Sequence, residues 1–137
     1  MNKNDAIMMI TTTTQSVAIG GTIPLTTIAR RRGCAFDTTV SNNIIATKPG
    51  YYTVKGTVTV SAPVAGNATI RLVKNSTPVE GMVSTETITT ATTEIRTLPI
   101  SGTVRIFCNE GTANFSLIAS DIALNVLNAE LDFVYIG

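Results

Sequence analysis

The sequence predicts an all-β sandwich or jelly roll of eight or more short antiparallel strands. Three observations carry this. Thr, Ile and Val number 24, 15 and 12, or 51 of 137 residues; β-branched side chains are stiff at χ1 and pack well on a pleated surface. Asn, Ser, Gly and Pro clusters interrupt the chain about every eight to twelve residues, as in all-β sandwiches and barrels. Residues 51–60 alternate cleanly, with Tyr52, Val54, Gly56, Val58 and Val60 on one face and Tyr51, Thr53, Lys55, Thr57 and Thr59 on the other.

The remaining elements follow in order. Residues 1–14 read as an N-terminal arm or anchor: polar Asn2 to Asp5, apolar Ala6 to Ile10, then four threonines. The alternative is a first strand that joins the sheet. Gln15 to Ile19 alternates and stops at Gly20-Gly21; Thr22 to Leu25 contains Pro24, which suits an edge or bulge. Asn43 to Thr47 runs into the turn Lys48-Pro49-Gly50. Ala68 to Lys74 pairs back on 51–60 as a hairpin and ends at Asn75-Ser76-Thr77-Pro78. Residues 84–97 read as a long loop with one polar strand. Gly102 to Cys108 and Thr112 to Ala119 flank the turn Asn109-Glu110-Gly111. Residues 121–131 fit both a helical and a strand period, and the β context favours the strand. Leu131 to Ile136 is the last strand.

Composition narrows the function. One domain of 14.4 kDa is expected, with residues 15–137 as its body. Charged residues are 14% of the chain and the net charge is +1, which gives no electrostatic case for nucleic acid or an anionic membrane. There is no histidine, so Ser-His and Cys-His nucleophiles and the commonest metal ligand are missing. The nine acids are scattered and form no Asp-x-Asp-x-Asp calcium loop. No catalytic residue, cofactor or metal is expected, and the protein reads as a non-enzyme. Cys34 and Cys108 read as two buried thiols rather than a disulfide. The start of the chain has no signal-peptide pattern, and Ala6 to Ile10 is too short to span a bilayer.

Several segments together resemble a known family. They are Gln15 to Leu25, Ile45 to Val54 with its Pro49-Gly50-Tyr51 turn, Ala68 to Asn75 with its Lys74-Asn75 turn, and Asn128 to Gly137. This order is similar to the complement-globular-head and tumour-necrosis-factor-like jelly rolls, nearest to bacterial and phage versions such as the C-terminal domains of collagen-like spore-surface proteins. The resemblance implies a jelly-roll β-sandwich of 8–10 antiparallel strands that assembles as a homotrimer. Tyr51, Tyr52, Phe133 and Tyr135 become trimer-interface candidates, with filling of the protomer's own core as their other role. No collagen stalk precedes the domain, so it should sit directly on a surface. Ile7, Met8, Met9 and Ile10 are then candidate particle anchors, and Arg30, Arg31 and Arg32 a candidate contact to an anionic partner.

The expected role is a structural virion protein of a phage, a capsid decoration or head-fibre protein on the virion surface. Its partners would be further copies of itself and the major capsid protein or another virion protein. The alternatives are a carbohydrate- or receptor-binding head of a tail tip that meets a host glycan, or a bacterial spore or cell-surface module.

Overall fold

The computed structural model describes residues 5–137, and the described residues contain eleven strands and no helix. The strands are β1 (Ala6–Thr11), β2 (Gln15–Val17), β3 (Thr27–Arg32), β4 (Phe36–Asp37), β5 (Ile44–Ala46), β6 (Gly50–Ser61), β7 (Gly66–Lys74), β8 (Thr77–Ile88), β9 (Arg96–Ile106), β10 (Ala113–Ser120) and β11 (Leu124–Tyr135). They form two sheets. The first runs β3-β1-β11-β6-β9, with β2 extending it along β11; the second runs β4-β5-β10-β7-β8. Among the described residues every strand pairing is antiparallel. The chain crosses repeatedly between sheets, which makes the sandwich a jelly roll.

The core lies between the sheets. Alternation on β6 buries Tyr52, Val54, Val58 and Val60 and turns Tyr51 and Lys55 outward, as the sequence predicts. From the facing sheet come Ile44, Ile70, Leu72, Phe115 and Leu117, all fully buried. Each such side chain contributes roughly 1.5–3 kcal/mol relative to an exposed one. An aromatic cluster closes one end of the core. Phe115 and Phe133 have centroids 4.9 Å apart, Phe36 meets Tyr52 edge-on at 5.6 Å, and Tyr52 meets Tyr135 at 5.1 Å. Edge-on and offset pairs are the favoured aromatic geometries.

Several expectations need correction. Residues 6–11 are not a free arm. They form β1, paired on one side with β11 and on the other with β3. The pattern Ile7-Met8-Met9-Ile10 alternates like any sheet strand: Ile7 and Met9 are buried in the core, while Met8 and Ile10 point outward. A core strand cannot also leave to dock elsewhere. Residues 1–4 of that expected arm lie outside the described residues. Residues 77–88 form a long edge strand where a turn and loop were expected, because β8 pairs with β7 across a register shift between Arg71 and Val73. The ambiguous segment 121–131 resolves as β11 from Leu124 onward. Cys34 and Cys108 are unbonded but exposed, not buried, since both lie on loops.

Candidate functional site

The outward face of the first sheet carries five of the eleven residues that the sequence nominates, Met8, Ile10, Arg30, Arg32 and Tyr51. Register sets their neighbours. Met8 of β1 faces Arg30 of β3 on one side and Asp132 of β11 on the other, and Asp132 faces Lys55 of β6. A second row joins Arg32, Ala6, Val134 and Thr53. A third joins Ile10, Glu130 and Thr57. Ala6, Met8, Ile10, Leu127 and Val134 are half-buried on this face; the strip is apolar along β1, whereas on β11 Glu130 and Asp132 alternate with Val134. The strip is not flat. A hollow of about 490 Å³ opens beside Met8, Arg30, Arg32 and Val134, and another of about 340 Å³ beside Ile10, Leu127 and Glu130.

The three arginines divide by strand alternation. Arg30 and Arg32 lie on the outward side with Met8 and Ala6, and the Arg30 guanidinium reaches the Met8 sulfur at 3.4 Å. Arg31 falls on the other side and donates to the Phe36 carbonyl, tying β3 to β4. Burial raises the Asp132 carboxyl above its ordinary range, and Arg30 and Lys55 only partly offset this.

Of the four aromatic interface candidates, Tyr52 and Phe133 are fully buried inside the protomer. The Tyr52 hydroxyl donates to the Lys48 carbonyl, and burial pushes its pKa up to about 12. Tyr135 is half-buried. Its hydroxyl donates to the Pro49 carbonyl at 3.0 Å, and Lys48 Nζ lies 4.1 Å above its ring while also 3.7 Å from Asp5. Tyr51 alone of the four is exposed, at 42%.

Tyr51 belongs to a cluster that sequence reasoning missed. It pairs in register with Arg105 of β9. The Arg105 guanidinium lies 5.2 Å from the Tyr51 ring centroid and 4.3 Å from that of Phe107, which is 49% exposed. Nearby, Lys74 Nζ contacts the Glu110 carboxylate at 2.9 Å and donates to the Arg105 carbonyl. The β6–β9 register brings Tyr51 to Arg105, Phe107 follows two residues along the chain, and Lys74 reaches over from β7 of the second sheet. Among the described residues, no group of three or more His, Cys, Asp or Glu is gathered that would hold a metal.

The sequence matches no protein-family model and no curated protein. Solved structures do match. The Eiger TNF from S. frugiperda superposes with a TM-score of 0.77 at 8% identity, over 99% of this chain and 94% of that one. The globular domain of zebrafish complement 1qA protein gives 0.70 at 11% identity, over 97% and 98%. The PRD1 vertex protein P5 gives 0.62 at 16% identity, over the whole of both chains. The chain therefore has the jelly-roll fold of tumour-necrosis-factor-like and complement globular domains.

Proposed function

We propose that this protein is a structural component of a phage particle that assembles as a homotrimer through the outward face of its first sheet. The observation that carries the reading is that face: the half-buried Ala6, Met8 and Ile10 of β1, with hollows beside them and Arg30, Arg32 and Asp132 at the rim. Subunit interfaces that are permanent resemble a domain core cut open, with apolar centres and polar rims. The end-to-end likeness to the PRD1 vertex protein P5 supports placement on a virion. Arg30 and Arg32 supply the contact to acidic groups of a neighbouring subunit or of the particle. Docking cannot use Ile7 and Met9, which the core retains, so the particle contact is made by exposed surface.

The test is Met8→Glu, which places a carboxylate in the strip without entering the core. We expect the variant to stay folded by circular dichroism and to run as a monomer in light scattering. A variant that keeps the parental mass would count against this face. Mass spectrometry of purified virions checks the location; recovery from spore coats instead would favour the bacterial surface module.

A further inference from the structure

Most of the protein's aromatic side chains are spent on the core. Phe36, Phe115, Phe133 and Tyr52 are fully buried. Among the described residues Tyr51 and Phe107 are the exposed aromatics, and both flank one guanidinium. Single exposed apolar side chains are ordinary, but two rings gathered on one cation make a local patch with recognition chemistry.

Three further features converge. First, Arg105 makes no salt bridge among the described residues, whereas neighbouring Lys74 is neutralised by Glu110. Its charge is thus held in place by two ring faces and left unmatched. Secondly, the loop that presents Phe107 is braced. The Glu110 carboxylate accepts the Phe107 backbone N–H at 2.6 Å and also binds Lys74. These two contacts hold Glu110 below the usual carboxylate range. Thirdly, a groove of about 280 Å³ runs alongside, between the start of β8 and the end of β9. Thr77, Thr103, Pro78 and Arg105 line it. It offers hydroxyl groups and a small apolar wall beside the cation.

A ligand that suits this set has a carboxylate, an apolar ring face and several hydroxyls. We infer that Tyr51, Arg105 and Phe107 form a binding site for an acidic sugar. The sugar carboxylate pairs with the Arg105 guanidinium, its C–H face packs on Phe107, and its hydroxyls meet Thr77 and Thr103. The site lies on the same outward face of the first sheet, at its β6–β9 edge beyond β11, and it requires that edge to stay uncovered in the trimer. A short acidic peptide would supply the charge but not a rigid C–H face for Phe107.

The experiment is saturation-transfer NMR and calorimetric titration of the full chain with 3′-sialyllactose and with a hyaluronan tetrasaccharide, using lactose as the neutral control. We expect saturable binding of at least one acidic sugar, none of lactose, and at least tenfold weaker binding in Arg105→Gln and Phe107→Ser. Both positions are exposed, so the variants should melt as the parent does. No saturable binding of either acidic sugar overturns the proposal, as does binding that survives Arg105→Gln. So does a change in solution mass on Arg105→Gln, which would make the cluster a subunit contact. Failure of the trimer reading would show separately, as a monomeric parent that still binds sugar.

Discussion

Asp132 illustrates how one residue carries the pH behaviour of the outward face. Burial raises its carboxyl pKa, against the pull of Arg30 and Lys55. Above this raised value, the folded state holds a charge that the unfolded state ionises more easily. The folded protein therefore binds more protons in the window between the ordinary value of 3.8 and the raised one, and stability falls as pH rises through it. Asp132→Asn removes that penalty. We expect it to raise the melting temperature at neutral pH, with the gain shrinking as pH drops through the window; a gain independent of pH would contradict this assignment. Gly50 makes a second residue-level case. Its φ is +133°, and a Cβ there would stand 2.7 Å from the Tyr135 ring. Gly50→Ala should cost about 1–3 kcal/mol in urea unfolding, from backbone strain and a displaced ring.

At the scale of elements, β1 is the strand whose role the sequence leaves most open. Its alternation fits a sheet strand, but the polar residues before it and the Thr run after it suggest a detached arm. The partners that decide the matter, β11 and β3, lie far along the chain and are chosen by core packing. Deleting residues 1–11 would strip Ile7 and Met9 from the core and unpair two strands. Two such side chains alone represent roughly 3–6 kcal/mol, a large part of a typical domain's 5–15 kcal/mol. The truncated chain should be insoluble or unfolded; a folded truncation would return the arm. The strands that could be read directly were those with one wet and one buried face, such as β6. β3 was invisible, since every residue in it is exposed and no alternation marks it. β8 was hidden likewise by a polar edge-strand composition. The candidate surface was half legible. The Arg30–Arg32 run stands out in one stretch of sequence, whereas Tyr51 meets Arg105 and Phe107 only through strand register.

For the whole molecule, the central claim is that the jelly roll acts as a homotrimer closed by the β1–β11 face. One sheet face carries an apolar strip along β1 and the net charge of the protein is only +1, so little long-range repulsion opposes association. A directional contact between unlike patches closes into a ring when its rotation divides the circle, and three copies is the arrangement that the family resemblance implies. The most direct test is the solution mass of the purified chain by multi-angle light scattering at neutral pH. The account predicts about three times 14.4 kDa, falling to a single chain in Met8→Glu. A parent that runs as a clean monomer across the micromolar range would contradict it.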